Sequence, residues 1–284
     1  MDRAKAKLRL HAVRRENAVS ESVLCIGWDV GGWMGRKQGV AITEWSPDSI
    51  RYLGKPASFR LPAEALLTPA DLLELGGVDP GQLKHQRAVL AVDAPLGFPK
   101  RFRALVGSWP SPKDSDEVMV TRPAREIDNP HAYRATDRHI FEHFSSPAAG
   151  QKKPLSATFD RLGNNATVAL EHAQFWRQQH SVAVLPFDSP GVGQTLVFEA
   201  YPALVKARLN AKDAGLDPAF ARHFPQPPAD LVPGSDELDA LICSLFAVCL
   251  AADGAKGIPR LVGPPDRDDA PHHEGWIYYP AIES

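Results

Sequence analysis

The sequence VLCIGWDVGG, residues 23–32, is an apolar run that carries one carboxylate, Asp29, just before two glycines. Runs rich in Val, Ile and Leu that are bounded by turn residues are typical of a β-strand buried on both faces. An ionised carboxylate at the end of such a strand costs several kcal/mol in desolvation unless a cation or hydrogen-bond donors hold it. We therefore expect a cation or a set of donors beside Asp29.

A second run has the same form. The sequence AVLAVDAPLG, residues 88–97, places Asp93 where an apolar strand gives way to Pro and Gly. In open α/β sheets, ligands collect beyond the carboxyl ends of the strands. Two acids that end two strands can therefore converge on one site, and this convergence is the main indication of function in the sequence.

The composition favours a cytoplasmic α/β protein. The 284 residues suffice for one large domain, and the formal net charge of −2 argues against binding long duplex DNA mainly by phosphate neutralisation. The three cysteines, Cys25, Cys243 and Cys249, lie in apolar runs without the paired spacing of a zinc site. The longest apolar run, residues 240–252, is shorter than the roughly 20 residues that span a bilayer. No segment has the layout of a signal peptide, so we expect no membrane partner.

The first part of the chain predicts the order β-β-β-α-β. Strands that end at Asp29 and that run over 39–45 and 49–53 are separated by short polar turns, which favours an antiparallel meander. A helix over 62–75 follows, with leucines at helical spacing before two glycines. The next strand is the one that ends at Asp93.

The remainder of the chain predicts an insertion and then further helices and strands. Residues from about 98 to 153 are rich in Pro and Arg and too many for an ordinary connection, which indicates a helical insertion. The apolar spacing then predicts a long helix over 155–180, which Gly163-Asn164-Asn165 could break in two, and two strands over 182–187 and 195–200. A buried helix capped by Ser235 follows over 236–252, and an edge strand over 274–279.

We assign residues 21–284 to a single domain and residues 1–20 to a basic tail. The tail is rich in Lys and Arg, and it is either a frayed helix or an arm that binds nucleic acid.

The last predicted helix begins with a pair of acids, Asp236 and Asp239. They are three residues apart, so both carboxylates lie on one face of the helix. Together with Asp29 and Asp93 they form a set of hard oxygen ligands that suits Mg²⁺ or Mn²⁺ far better than zinc. Two such ions would stabilise the attacking and the leaving oxygen of a phosphoryl displacement. The acids therefore predict a metal-dependent phosphodiesterase.

Six short motifs, spread in order from about residue 22 to 280, carry a family resemblance. They are GWD at 27–29, VDAPLG at 92–97, Arg134-x-Thr136-Asp137, EAYP at 199–202, DELDAL at 236–241 and EGWI at 274–277. With them the chain resembles the predicted nucleases labelled domain of unknown function 429, and its last-helix pair resembles that of the RuvC-type resolvases. The resemblance implies an RNase H-like fold, in three layers α/β/α around a mixed five-stranded sheet, and nuclease activity.

The expected site combines the acids and the resemblance. We expect Asp29, Asp93 and Asp239 to hold the metal, with Asp236 and Glu199 as further ligands or as groups that orient water. Glu199 matches the family at a strand end, and it either reaches the metal or anchors a loop by accepting backbone N–H bonds.

Candidate substrate contacts lie in the insertion and beside the first acid. Arg134 and Arg138 either belong to a solvated helix surface or grip a phosphate of the substrate, which we expect to be a nucleic acid or a nucleotide. Trp28 and Trp33 flank Asp29, and one of them either stacks on a base or packs in the wall of the site.

Two other functions stay open from the sequence. An actin-like ATPase or small-molecule kinase shares the expected core fold, and residues 27–32 could begin a turn that cradles phosphate. A non-catalytic binding module would use the same acids for a structural ion and would show no turnover.

Overall fold

The structure of the protein is a computed structural model that describes residues 22–33, 37–62, 65–108, 123–145, 153–158, 162–206, 215–265 and 271–281. The predicted basic tail, residues 1–20, lies outside the described residues. The strands are β1 Val23–Asp29, β2 Lys37–Trp45, β3 Ile50–Arg60, β4 Arg87–Val92, β5 Val182–Val184, β6 Thr195–Ala200, β7 Leu261–Val262 and β8 Ile277–Pro280. The helices are α1 Pro69–Leu75, α2 Lys100–Ser108, α3 Ala135–Phe144, α4 Leu162–Gln179, α5 Pro218–Ala221, α6 Asp236–Ala252 and α7 Pro271–Glu274.

The predicted meander is confirmed. Strand β1 pairs antiparallel with β2, and β2 pairs antiparallel with β3. The register places Asp29 opposite Gly39. On its other side β1 pairs parallel with β4, where Trp28 lies opposite Val92. The two predicted acid-bearing strands are therefore neighbours that point in the same direction.

The sheet is mixed and has eight strands in the part of the chain that the structure describes, so the predicted count of five is wrong. The order is β3-β2-β1-β4-β6-β8-β7, and β5 pairs with the first half of β6. Strand β7 was not predicted, whereas β5 and β8 overlap the strands predicted over 182–187 and 274–279. The prediction of an edge strand is wrong for β8, because β8 lies between β6 and β7.

Alternating side chains of the central strands enter two cores, one on each face of the sheet. From β1, Cys25 faces the core built with α6, whereas Leu24, Ile26 and Trp28 face the core built with α1 and α4. Because both faces are covered by helices, the apolar runs that predicted buried strands are explained. The protein thus belongs to the α/β class.

Two predicted helices differ from the observed ones at their first residues. Helix α1 begins at Pro69 rather than near residue 62, because Thr68 and Asp71 form a reciprocal capping box there. Helix α4 runs from Leu162 to Gln179 through Gly163-Asn164-Asn165 without a break, while residues 153–158 are not helical. The predicted insertion contains α2 and α3, so its described part contains helices, as expected.

Candidate active site

Asp29 and Asp93 lie side by side at the carboxyl ends of β1 and β4. The backbone N–H of Asp93 donates to the carbonyl of Trp28 at 2.9 Å, which extends the pairing of the two strands to their last residues. In β1, Cys25 and Gly27 face α6, so Asp29, two residues further on, is directed to the same side. In β4, Val89 and Ala91 face α6, and Asp93 continues that alternation.

Glycines bring the helix that carries the other two acids onto the sheet. A β-carbon on Gly27 would overlap the carbonyl oxygen of Ala240 and the backbone nitrogen of Ser244. A β-carbon on Gly39 would overlap the carbonyl oxygen of Asp236. Since Gly39 is the register partner of Asp29, the first turn of α6 lies directly over the end of β1. Ser235 caps this turn by accepting from the N–H of Leu238 at 3.2 Å, as predicted.

The electrostatics of the four aspartates show that they share one site, which we name the acid cluster: Asp29, Asp93, Asp236 and Asp239. Burial raises the pKa of Asp29 well above its usual range, and the charges of the other three raise it further. Burial and the charge of Asp239 raise the pKa of Asp93 to about 8. Burial also raises the pKa values of Asp236 and Asp239. The cluster thus carries more negative charge than its surroundings balance.

One cation, Lys206, lies inside the acid cluster and was not predicted from the sequence. Its Nζ atom lies 2.5 Å from Oδ1 of Asp239, and its side chain is only 12 % exposed. Its charge lowers the pKa values of Asp29, Asp93 and Asp239, although burial outweighs this effect in each case. Apart from this ion pair, Oδ1 of Asp239 has no hydrogen-bond partner among the described residues.

The cluster is not arranged as a finished metal site. Among the described residues, no group of three or more His, Cys, Asp or Glu side chains is positioned to hold a metal ion. The thiol of Cys243, one turn after Asp239 on α6, is fully buried beside the cluster. Burial and the neighbouring acids raise the pKa of this thiol well above its usual range, so it is not a nucleophile.

Glu199 is not part of the acid cluster; it belongs to a buried ion-pair network with Arg134 and Asp137. Nη1 and Nη2 of Arg134 donate to the two carboxylate oxygens of Glu199, each at 2.7 Å. Nε and Nη2 of Arg134 donate to Asp137 at 3.1 and 2.9 Å. Glu199 also accepts from the backbone N–H of Leu96 at 3.0 Å. The alternative that Glu199 anchors a loop is the one observed.

Strand alternation explains why Glu199 is separated from the aspartates. In β6, Leu196, Phe198 and Ala200 face the core with α6, and Val197 faces the opposite core. Glu199 shares the direction of Val197 and therefore points away from α6. Burial raises the pKa of Glu199, and the charge of Arg134 opposes this shift.

The prediction that Arg134 grips a substrate phosphate is wrong, because the arginine is buried and paired inside the protein. Its side chain is 1 % exposed, and its guanidinium is committed to two carboxylates. Burial alone would lower the pKa of Arg134, but the charges of Asp137 and Glu199 more than offset this and hold the pKa above its usual range. Arg138, one turn later, is partly buried, and its Nη1 donates to the carbonyl of Tyr133 at 3.4 Å. A substrate role for Arg138 stays a prediction.

Trp28 is also not available to a substrate, which corrects its prediction as a stacking residue. It is fully buried, and its indole N–H donates to Oε1 of Gln38 at 3.1 Å. Its ring packs against His172 and Trp176 of α4. It belongs to the face of β1 that Leu24 and Ile26 share, so it is a core residue.

Trp33 is the tryptophan beside Asp29 that is exposed, at 44 %. Its backbone N–H donates to Oδ1 of Asn164, and its indole N–H donates to Oγ1 of Thr167, both at 3.1 Å. One side of the ring stacks on His172, with the ring centroids 6.3 Å apart. The indole is therefore held in a fixed position while remaining accessible.

Glu274, the first residue of the motif at 274–277, binds the first turns of two helices in the insertion. One carboxylate oxygen of Glu274 accepts from the N–H of Lys100 at 2.7 Å, and the other accepts from the N–H of Ala135 at 2.8 Å. These are the first residues of α2 and α3. Glu274 therefore caps two helices at once, a role that satisfies the free N–H groups of a helix start.

A cavity of about 40 Å³ lies between the acid cluster and the ion-pair network. Its lining includes Asp93, Arg134, Glu199 and Tyr201. This volume is much too small to enclose a nucleotide.

Comparisons of the chain with protein-family models, with curated proteins and with solved structures find no match. Across the described ranges, none of the helices combines the length and the apolar character needed to cross a membrane.

Proposed function

We propose that this protein is a metal-dependent phosphodiesterase that acts on a nucleic acid or a nucleotide at the acid cluster. The single observation that carries the proposal is the convergence of carboxylates from three separate elements on one face of one sheet edge. Their pKa values are raised by their own mutual repulsion as well as by burial. A fold that needed only stability would not assemble these charges, because each costs free energy in the metal-free state.

The donor set fits Mg²⁺ or Mn²⁺ in its chemistry and its charge. All four side chains are carboxylates, which these ions prefer, and the buried Oδ1 of Asp239 contacts a cation, the ammonium group of Lys206, and has no other partner among the described residues. Asp29, Asp93 and Asp239 would hold the ion, with Asp236 at the rim. When bound, such an ion would neutralise charge on the phosphate and lower the pKa of the attacking water.

The chain's own residues define what surrounds the reacting phosphate. The glycines at 27 and 39 hold α6 against β1 and so fix the spacing of the carboxylates. Lys206 supplies a positive charge at the same place. The ion-pair network of Arg134, Glu199 and Asp137 supports the β4 and β6 ends from behind. Because it binds Leu96, it also fixes the segment that follows Asp93.

For substrate contact we propose Trp33 in place of Trp28. Trp33 follows Asp29 by four residues, so its Cα lies at most about 13 Å from that of Asp29. Its exposed indole is held by Thr167 and His172 of α4, the helix on the sheet face opposite α6. Aromatic side chains of this kind stack on unpaired bases of any sequence. With a formal charge of −2 and no strongly basic surface expected, a single strand or an unpaired end fits better than a long duplex.

We propose further that the fold is RNase H-like. The strand order supports this: an antiparallel meander is followed by the parallel neighbours β4 and β6, with acids on β1, on β4 and on α6. The phosphate-cradling alternative receives less support. The N–H of Gly31 donates to Gln38 at 2.9 Å and the N–H of Trp33 donates to Asn164, so the turn after Asp29 uses these donors internally.

The decisive experiment measures cleavage of labelled single-stranded and duplex DNA and RNA with Mn²⁺. We expect Asp29→Asn and Asp239→Asn each to lose at least about a hundredfold in rate, since even residues that support metal ligands cost 10–100-fold. Glu237→Gln is the matched control, because Glu237 lies in the same helical turn, bonds to Ser58 and Ser235, and acts on the cluster only through the charge that it places near Asp236. Full activity in both aspartate variants would overturn the proposal.

A further inference from the structure

Contacts of the backbone on both sides of Lys206 fix the position of this residue. It follows a 3₁₀ turn, Pro202–Val205, whose residues Leu204 and Val205 are buried. The carbonyl of Val205 accepts from the N–H of Asp217 at 2.8 Å, and Lys206 forms a β-bridge with Leu216. The backbone thus delivers a lysine to the acid cluster from a fixed point, while its four-carbon side chain can still move.

The charge of Lys206 reaches every buried acid of the cluster. It lowers the pKa values of Asp29, Asp93 and Asp239, and it also lowers that of the Cys243 thiol. Its ammonium group contacts the oxygen of Asp239 that has no other hydrogen-bond partner among the described residues. Lys206 therefore stands where a cation is electrostatically required.

The position of Lys206 explains why the acid cluster has the donor atoms of a metal site but not the arrangement of one. The cluster has the donors of a metal site, yet the described side chains are not arranged to hold a metal. The ammonium group of Lys206 contacts Oδ1 of Asp239, so one oxygen of the donor set already has a cation beside it.

We propose that Lys206 is the resident counter-ion of the metal-free acid cluster and that a divalent cation binds by displacing its ammonium group from Asp239. The inference rests on the proposed function, because it requires the cluster to be the metal site. Its consequence is a competition: the protein exchanges one internal positive charge for an external divalent ion. The displaced ammonium group then lies at the rim of the cluster, where a phosphate would enter.

The test is calorimetric titration of Mn²⁺ into the wild type, Lys206→Met and Lys206→Arg, in the full chain. Removing the competing charge should tighten Mn²⁺ binding by about tenfold or more in Lys206→Met, because the ammonium group contacts a carboxylate oxygen of the site and repels an incoming cation. Lys206→Arg keeps the charge and should bind like the wild type. Lys84→Met, an exposed lysine of a 3₁₀ turn, controls for the general loss of one positive charge.

The outcomes separate this inference from the proposed function. Mn²⁺ binding by the wild type that is unchanged or weakened in Lys206→Met overturns the competition and leaves the metal site standing. Absence of Mn²⁺ binding in both proteins overturns the metal site and the competition together. If Lys206→Met does not fold, Lys206→Gln removes the charge with a polar side chain. The Mn²⁺-induced rise in melting temperature of Lys206→Gln, compared with that of the wild type, then gives the same readout.

Discussion

The carbonyl oxygen of Ala240 occupies the space that a β-carbon on Gly27 would fill, so α6 rests directly on the backbone of β1. This contact sets the distance between the sheet and the helix that carries Asp236 and Asp239. The acid cluster is therefore a consequence of a missing side chain. Any residue larger than glycine at position 27 has to push the helix away from the strand.

We expect Gly27→Ala to lose about 3 kcal/mol or more in free energy of unfolding, at the upper end for overpacked cores, because the clash is with backbone that cannot rotate aside. Urea unfolding measures this. Gly107→Ala is the control: Gly107 lies in α2 with no neighbouring atom within 4 Å of its added β-carbon. For Gly107→Ala we expect the free energy of unfolding to increase by up to about 1 kcal/mol. Equal stability of the two variants would contradict the proposed packing.

We expect Glu199→Gln to destabilise the protein by about 3–5 kcal/mol, since it removes one partner of a buried ion pair. Arg134 would keep Asp137 and one acceptor at position 199, but it would lose the negative charge and one of the two 2.7 Å contacts. Thermal or chemical denaturation measures the loss. Arg125→Ala breaks an exposed pair with Asp128 and should leave the free energy of unfolding nearly unchanged. If Glu199→Gln is as stable as the wild type but has lost turnover, Glu199 is a catalytic residue rather than a structural one.

We expect the metal-free protein to lose stability as the pH rises from about 4 to 8. The pKa of Asp93 is raised from its ordinary 3.8 to about 8, so the folded state holds this proton more tightly than the unfolded chain. Stability linked to that proton is complete below the unfolded pKa and is lost as the pH passes the folded pKa. Melting temperatures measured with a chelator check this.

Asp93→Asn should flatten that pH profile, because asparagine does not titrate. Mn²⁺ should stabilise the wild type increasingly toward pH 8, since its ligands must be ionised. A wild-type melting temperature that rises between pH 5 and pH 8 in chelator, and falls in Asp93→Asn, would contradict the burial of an uncompensated charge.

We expect Trp33→Ala to weaken binding of a single-stranded oligonucleotide by about 1–3 kcal/mol, the contribution of one stacked base. Because the indole is 44 % exposed, the stability should change little. Fluorescence anisotropy with a labelled oligonucleotide measures the affinity. Trp33→Phe should retain much of it. Leu105→Ala, an exposed apolar residue of α2, controls for lost surface area. An unchanged affinity in Trp33→Ala would exclude the stacking role.

The elements that bear the aspartates were predictable because their signals are local. Strands β1 and β4 are continuous apolar runs, and α6 combines an N-cap serine with a regular apolar stripe. By contrast, β7 has two residues, too few to show an alternation, and β5 has three of the six residues predicted as a strand over 182–187. The number of strands in the sheet therefore depends on pairing between distant segments, which no short stretch of sequence determines.

The errors at the site have physical causes. The alternation Leu196, Phe198, Ala200 in β6 separates Glu199 from the aspartates, and the alternation in β1 similarly assigns Trp28 to the core. Both signals were present in the sequence. The burial of Arg134 depends on a partner 65 residues away. Lys206 carries no local signal, since only the path of the chain after β6 brings it to Asp239.

The double cap at Glu274 has a consequence for the order in which the protein folds. Helix α2 buries no side chain, so it depends on its cap more than on packing. That cap arrives 174 residues after Lys100 in the chain, and the cap of α3 arrives 139 residues after Ala135. During synthesis, β1 to β4 can assemble early, whereas the insertion waits for the segment before β8. We therefore expect the first turns of α2 and α3 to gain this cap only after the segment before β8 has been synthesised and has reached the sheet.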